Sequence, residues 1–203
     1  MLGWSRLGCA VLVAVAASGT LAADDPCARA AATARMIEDG EPGAPMRVTG
    51  VVFQPDGVTP AAGVILYAYH TDAAGLYGRT PHADPRIQGW VRTDKAGRFE
   101  LITIRPAPYP GGQTKAHIHI QLWGPGVPPQ IGPPVFFADD PRVQESVRQD
   151  SERLGRFGFV KSPVKGPDGV LRFTLDIRLK SAGDHFSDDI LHGLKACGVK
   201  PQA

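Results

Sequence analysis

The sequence predicts an all-β fold, an antiparallel β-sandwich with short terminal helices. Short apolar runs predict strands, and several of these runs alternate apolar and polar residues. The chain has 24 glycines and 19 prolines, which separate the runs at turn motifs such as Asp94-Lys95-Ala96-Gly97. Because no helical pattern lies between successive strands, a sandwich is favoured over a βαβ protein.

Helices are expected only near the two ends of the chain. Asp25 followed by Pro26 is typical of a helix start, and we expect a short helix there that runs through residues 30–38. Ser187 begins a second predicted helix, which ends at Gly198. The predicted strands span residues 47–53, 64–70, 90–93, 98–103, 117–123 and 171–179.

Residues 124–134 contain five prolines and three glycines, which predicts a long surface loop instead of a central strand. This segment directly follows the predicted strand 117–123. We therefore expect the loop to form one wall of a pocket beside that strand.

The first residues have the pattern of a secretory signal peptide. Arg6 precedes an uncharged apolar run at 7–17, and small residues follow as far as Ala23, so we expect cleavage near Ala22 or Ala23 and export to the periplasm or the extracellular space. The predicted organisation is a signal peptide at 1–23, a short helical segment at 24–45, a β-sandwich domain at 46–181 and a helical tail at 182–203.

Charge and cysteine content limit the expected partners and covalent links. The formal net charge is +2 with no run of Lys or Arg, so neither nucleic acid nor, after cleavage, a membrane is an expected partner. Oligomeric state stays open. Cys27 and Cys197 remain in the predicted mature chain, and an oxidising compartment would permit them to pair; two unrelated thiols are the alternative.

A predicted strand that contains His117 and His119 gives the first functional hypothesis. Residues two apart in a strand lie on one face, roughly 7 Å apart, so the two histidines can bind one metal ion while Ile118 and Ile120 enter the core. Cupins share this spacing but place a glutamate a few residues later, whereas the first carboxylate here is Asp139. The sequence therefore argues against a cupin.

Other ligands must complete such a site. An iron(II) site with two histidines and one carboxylate would need Asp72 or Asp94, but both lie in turn-like surroundings where a turn aspartate is more common. Tyr77 and Tyr109 lie in predicted loops, where site residues concentrate. A phenol has a reference pKa of about 10, so phenolate ligation requires a strongly Lewis-acidic ion such as iron(III).

The other tyrosines and histidines have simpler interpretations. Tyr67 and Tyr69 alternate within a predicted strand and are interpreted as packing residues. The remaining histidines are expected to be solvated and not to bind metal: His70, His82, His185 and His192.

Residues from about 46 to 179 resemble the catalytic domain of intradiol ring-cleavage dioxygenases, the non-haem iron(III) enzymes that include catechol and protocatechuate dioxygenases. The resemblance covers most of the predicted sandwich and is carried by ordered short motifs. They lie at residues 72–77, 89–99, 103–110, 116–120 and 136–141.

The resemblance implies that Tyr77, Tyr109, His117 and His119 are the iron(III) ligands. It further implies that Tyr109 leaves the metal when a catechol dianion binds, and its phenolate can then accept a substrate proton as the catalytic residue. The implied reaction is intradiol cleavage of a catechol-type ring with O2, which gives a muconate-type dicarboxylate.

One departure from the family pattern bears on activity. Members commonly carry an arginine three residues before the first ligand histidine, where this chain has Thr114, and Lys115 is shifted by one position. Arg92 and Arg105 could supply a cation, but a structural role suits them equally well. Two alternatives to the enzyme therefore stay open: a non-enzymatic transthyretin-like β-sandwich used for binding, and a metal-binding relative with weak activity.

Overall fold

The computed structural model describes residues 25–78, 80, 84–181 and 192–197. The helices are α1 (Pro26–Arg29), α2 (Glu145–Arg153) and α3 (His192–Ala196), with a 3-10 helix at Gly155–Phe157. The strands are β1 (Thr33–Arg35), β2 (Pro45–Phe53), β3 (Ile65–His70), β4 (Ile87–Arg92), β5 (Arg98–Ile104), β6 (His117–Gly124), β7 (Val127–Ile131), β8 (Val135–Phe137), β9 (Val160–Lys161), β10 (Val164–Lys165), β11 (Leu171–Thr174) and β12 (Ile177–Arg178).

The strands form two sheets, which confirms the predicted sandwich. The first sheet has the order β1-β5-β2-β11-β10, and β12 also pairs with β2. The second sheet has the order β4-β3-β6-β8-β9, and β7 also pairs with β6. Strand β6 is antiparallel to both β3 and β8, which places it in the interior of the second sheet.

A continuous apolar core fills the space between the sheets. Along β6, Ile118 and Ile120 belong to this core. Since side chains alternate along a strand, His117 and His119 lie on the outer face of the second sheet. The histidine positions are therefore set by the burial of their apolar neighbours.

A second, smaller cluster covers part of that outer face. A disulfide joins Cys27 to Cys197 with their Cα atoms 5.5 Å apart, so the alternative of two unrelated thiols is wrong. It links α1 to α3 above a cluster that includes Tyr67 and Trp123. Asp25 caps α1 as expected, because its Oδ1 accepts a hydrogen bond from the Cys27 backbone N–H at 2.8 Å.

The predicted helix through 30–38 is wrong. Helix α1 ends at Arg29, and Thr33–Arg35 instead forms β1, which pairs in parallel with β5. The open edge of β5 offers a row of backbone donors and acceptors, and this pairing outweighs the local helical preference of the alanine-rich segment.

The predicted loop at 124–134 is also corrected. Residues Val127–Ile131 form β7, which pairs with β6 from Gln121 to Gly124, the half of the strand beyond the histidines. It is therefore not placed as a wall beside His117. Pro128 and Pro129 are tolerated because an edge strand need not donate every backbone hydrogen bond.

Several further elements differ from the sequence prediction. The segment 171–179 is divided into β11 and β12, both parallel to β2. Helix α2 was not predicted, because its mostly polar sequence leaves Ser151 as its only buried residue.

Helix α3 lies within the predicted segment 187–198, whereas the predicted signal peptide at 1–23 lies outside the described residues. Within the described part of the chain, no helix is long and apolar enough to span a membrane.

Candidate metal centre

Four side chains predicted as ligands converge on one point at the outer face of the second sheet. Tyr77 Oη lies 2.6 Å from Tyr109 Oη and 2.8 Å from His119 Nε2. His117 Nε2 lies 2.9 Å from His119 Nε2 and 3.5 Å from Tyr109 Oη. These four distances close a ring of two nitrogen and two oxygen atoms, although the loops and the strand that supply them are separated in sequence.

Neighbouring atoms fix both histidine rings. His117 Nδ1 lies 2.7 Å from the carbonyl oxygen of Lys115, and since a carbonyl only accepts, Nδ1 carries the proton and Nε2 presents its lone pair to the centre. His119 stacks on Tyr69 with ring centroids 4.4 Å apart and planes 8° apart. Tyr69 is the register partner of His119 on β3, so the sheet itself sets this stack.

The start of β6 is anchored by a buried carboxylate that the sequence did not single out. Asp140 Oδ2 accepts a hydrogen bond from the Ala116 backbone N–H at 2.9 Å, and Oδ1 accepts one from the Arg142 backbone at 2.9 Å. Burial opposes the charge of this carboxyl, but the hydrogen bonds from Arg142 and Ala116 prevail, so the pKa of Asp140 lies below its usual range. The charged carboxylate thus holds the residue just before His117.

The turn that carries Tyr77 is closed by its own hydrogen bonds. Asp72 Oδ1 accepts from the backbone of Ala74 at 2.9 Å and of Leu76 at 3.0 Å. The Tyr77 carbonyl accepts from the Arg86 backbone at 2.7 Å. Asp72 is therefore a turn residue, as expected, and it shapes the loop without joining the ring of donors.

This turn is locked against the segment that carries Tyr109. Thr71 Oγ1 donates to the Ala107 carbonyl at 2.6 Å. Gly75 has a φ of +82°, and a Cβ atom there would lie 2.1 Å from the carbonyl oxygen of Pro108. Only glycine permits this approach, and the approach brings the two tyrosines together.

The donor set fits a hard, strongly Lewis-acidic cation. Burial, and next the hydrogen bond to Tyr109, raise the pKa of Tyr77, so its phenol ionises only beside such a cation. Burial and the charge of Lys115 lower the pKa of His117, which keeps its ring neutral and able to bind metal. Ligand atoms bound at about 2.1 Å and at right angles lie about 3 Å apart, which agrees with the spacing of the ring of donors.

A family model described as "Dioxygenase" matches residues 21–181 of the chain. The chain belongs to the intradiol dioxygenase family. Among characterised relatives, it is 30% identical over 122 residues to the protocatechuate 3,4-dioxygenase beta chain of Burkholderia cepacia, which covers 54% of this chain and 52% of that protein. It is 30% identical over 94 residues to catechol 1,2-dioxygenase 1 of Acinetobacter lwoffii, which covers 41% of this chain and 29% of that protein. The dioxygenase chain thus spans about half the length of these relatives, or less.

Solved structures agree on the fold. The dioxygenase domain of a carbohydrate-binding fusion protein from Streptomyces sp. SirexAA-E is 25% identical, with a TM-score of 0.55 over 72% of this chain and 87% of that one. Catechol 1,2-dioxygenase from Acinetobacter sp. ADP1 is 20% identical, with a TM-score of 0.57 over 76% of this chain and 59% of that one. The second likeness supports the fold alone.

Lys115 lies on the same side of the second sheet as the ring of donors. Its Nζ is 5.1 Å from the centre of the Phe136 ring, which is 6.1 Å from the His117 ring. Lys115 lies two residues before His117, and residues two apart in an extended segment share a face, so the shift from the position of Thr114 does not send this cation to the side opposite the donors. The sequence left that direction open.

The other candidate cations and carboxylates have structural roles. Arg105 pairs with Asp139 at 2.7 Å, and Arg92 donates to the Cys27 carbonyl at 2.7 Å. Asp94 Oδ1 accepts from two backbone N–H groups of its own turn at 2.8 Å. None of these side chains joins the ring of donors.

The expectation of a solvated His70 is wrong. Its side chain is fully buried, with Nδ1 2.7 Å from the Thr71 carbonyl and Nε2 2.7 Å from Thr103 Oγ1. His82 and His185 lie outside the described residues. Tyr67 is a packing residue as expected, since it is buried and stacks on Tyr69 at 5.3 Å.

Proposed function

We propose that this protein is an exported iron(III)-dependent intradiol dioxygenase. It cleaves a catechol-type aromatic ring with O2 between the two hydroxylated carbons and releases a muconate-type dicarboxylate. The observation that carries the proposal is the convergence of Tyr77, Tyr109, His117 and His119 within 2.6–3.5 Å of one another along the ring of donors. Family membership supports the reaction class.

Iron(III), when bound, would supply the Lewis acidity that ionises the phenols and the catechol hydroxyls, and it would draw electron density from the ring and so activate the substrate toward O2. His117 and His119 bind as neutral ligands through Nε2, each held by its neighbour. Tyr77 would stay bound, because hydrogen bonds close its turn on both sides. The protein thereby keeps three fixed ligands while the substrate enters.

Tyr109 would be the ligand that is released from the metal and accepts a substrate proton. It lies on a segment followed by Gly111 and Gly112, whose φ values of +99° and +79° form a turn with no atom within 4 Å of where a Cβ would stand. A departing phenolate beside a catechol hydroxyl is a general base in hydrogen-bond reach.

Export is the second part of the proposal. The signal-peptide pattern at 1–23 motivates it, and the Cys27–Cys197 disulfide agrees with an oxidising compartment. The mass of the protein recovered from the periplasm or medium tests it, and we expect a mature N-terminus near Asp24. An intact N-terminus on a protein retained in the cytoplasm would contradict export.

Visible colour tests the ligand set. Phenolate bound to iron(III) absorbs visible light, so the iron-loaded protein should be coloured, Tyr77→Phe and Tyr109→Phe should each weaken and shift the band, and the double variant should lose it. Tyr69→Phe is the matched control, because it removes a phenol beside the centre but keeps the ring that stacks on His119. A colourless loaded protein, or a coloured double variant, rejects the assignment.

Oxygen uptake separates the enzyme from its alternatives. With catechols, we expect consumption of one O2 per ring and a product whose mass equals that of the substrate plus both oxygen atoms. A protein that is coloured but consumes no O2 across a panel of catechols would be a metal-binding relative. A protein that binds no iron would be a non-enzymatic β-sandwich.

A further inference from the structure

A cavity lies on the opposite face of β6 from the ring of donors. Its volume is about 270 Å³, and it opens between the two sheets. Core residues form its inner wall. Ile120 and Val135 of the second sheet face Leu175 and Ile177, which come from the segment that pairs with β2 of the first sheet. Because Ile120 follows His119 directly, the strand separates the two sites and the cavity wall is apolar.

Aromatic and cationic side chains surround the mouth of this cavity. Leu154, at 43% exposure, Phe157 and Phe159 continue the apolar wall to the surface. Arg153 and Arg178 lie beside them. An apolar interior thus opens toward positively charged groups.

The mouth carries more positive than negative charge. Asp176 also lines it, but its Oδ1 accepts from the Val51 backbone and its Oδ2 accepts from Arg156 at 2.9 Å. Arg153 is paired with Asp150. Arg178 has no carboxylate partner among the residues that the structure describes, and its guanidinium lies 5.9 Å from the Phe157 ring centre.

The cavity size sets the size of the ligand. An engineered apolar cavity of about 150 Å³ takes up benzene. By proportion, the cavity of about 270 Å³ accommodates an apolar body of roughly ten carbon atoms. A carboxylate on that body would meet the Arg178 guanidinium at the mouth, where charge-assisted hydrogen bonds are favourable.

We propose that this cavity is a second binding site, for a monocarboxylate with an apolar body of roughly ten carbon atoms. The ligand inserts its body between Ile120 and Leu175 and places its carboxylate against Arg178. The site is independent of the metal centre and of the dioxygenase reaction, since β6 separates the two. Alkyl and fused aromatic bodies share this chemistry, and binding measurements distinguish them.

Calorimetric titration of the metal-free protein with decanoate and with 2-naphthoate tests the proposal. We expect saturable 1:1 binding of at least one of them, and at least tenfold weaker binding of the matching alcohol. The tighter carboxylate identifies the preferred body. Absence of saturable binding by both carboxylates overturns the site.

Two exposed substitutions locate the binding. Arg178→Glu should weaken the carboxylate at least tenfold with little change for the alcohol, whereas Leu154→Glu should weaken both. Arg98→Glu and Val164→Glu are the matched controls, because they replace an arginine and an aliphatic residue by glutamate at exposed positions that do not line the cavity. Circular dichroism confirms that each variant is folded.

The metal centre provides the remaining control. Tyr77→Phe and Tyr109→Phe should leave carboxylate binding unchanged, because neither tyrosine lines the cavity. Binding that survives Arg178→Glu and Leu154→Glu but is lost in the tyrosine variants would place the ligand at the metal centre and overturn the proposal.

Discussion

At the scale of single residues, the metal centre depends on Gly75, a position where no side chain fits. Gly75 combines a positive φ with a would-be Cβ only 2.1 Å from the Pro108 carbonyl oxygen. Gly112 has a similar φ, +79°, but nothing within 4 Å. Substituting each of the two glycines therefore separates the cost of backbone strain from the effect of a steric clash.

We expect Gly75→Ala to weaken iron binding and to lower the free energy of unfolding by more than the roughly 1–3 kcal/mol that strain alone costs. Pushing Pro108 away moves Tyr109 with it. Gly112→Ala should show only the strain term and keep iron affinity. Urea unfolding and titration of the visible band measure the two effects, and equal losses in both variants would contradict the steric argument.

A second residue prediction concerns the carboxylate before His117. Asp140→Asn should lower the free energy of unfolding by about 1.5–3 kcal/mol, because hydrogen bonds to a buried charged group are lost. Its exposed neighbour makes the control: Asp139→Asn breaks a surface ion pair with Arg105 and should cost no more than about 1 kcal/mol. Denaturant midpoints compare them, and a larger loss at Asp139 would be the contrary result.

The sequence identifies the candidate ligand residues better than it identifies the residues that hold them in place. The alternation of His117 and His119 with isoleucines, and the two tyrosines in loops, follow from residue type and spacing. Gly75 and Asp140 act on atoms of other segments, on Pro108 and Ala116, so no local pattern reveals their function. The surroundings of Gly75 show a turn and nothing of its partner.

At the scale of elements, the sequence predicts strands well where one face is buried. Alternation marks β2 and β6 within two residues of their observed bounds. It fails for β1 and β7, whose conformation comes from pairing with an existing sheet edge. Edge pairing depends on the partner strand, which a local pattern does not contain.

The terminal helices give the element-scale prediction. Helix α1 has four residues and α3 five, too short to be stable alone. Replacing both cysteines, Cys27→Ser with Cys197→Ser, should lower the free energy of unfolding by about 2–5 kcal/mol. The side chain of Trp90, whose Nε1 donates to Gly193 of α3, should become more exposed and its fluorescence should shift to longer wavelength.

Reduction of the native protein is the control for that variant. Wild-type protein in dithiothreitol should show the same loss of stability and the same fluorescence shift as the double variant. The double variant itself should not respond to dithiothreitol. A variant as stable as the oxidised protein would mean that packing alone holds α3.

At the scale of the whole molecule, one sheet separates two kinds of environment. Its inner face contributes to the apolar core, and its outer face carries both the donor ring and the cluster under the disulfide. The sequence predicts the sandwich from its strands. It does not predict which polar side chain forms a hydrogen bond across the core, because the hydrogen-bond partner of that side chain lies on the other sheet.

That residue is His70, and it makes the stability of the sandwich depend on pH. It links β3 to Thr103 of β5 across the core, and burial lowers its pKa from 6.5 to about 4. Between these values the unfolded chain binds the proton and the folded protein does not, so stability is full above pH 6.5 and falls as the pH drops toward 4. The loss is on the order of 3 kcal/mol.

Urea unfolding of the metal-free protein at pH 7 and pH 5 measures the contribution of His70 to the pH dependence of stability, and His70→Gln removes that contribution. Glutamine donates and accepts hydrogen bonds without titrating, so the variant should be less stable at pH 7 but lose less stability on acidification. His117, whose pKa is also lowered by burial, contributes in the same direction and leaves part of the slope in the variant. An unchanged slope in His70→Gln would mean that the buried link between the sheets does not control acid unfolding.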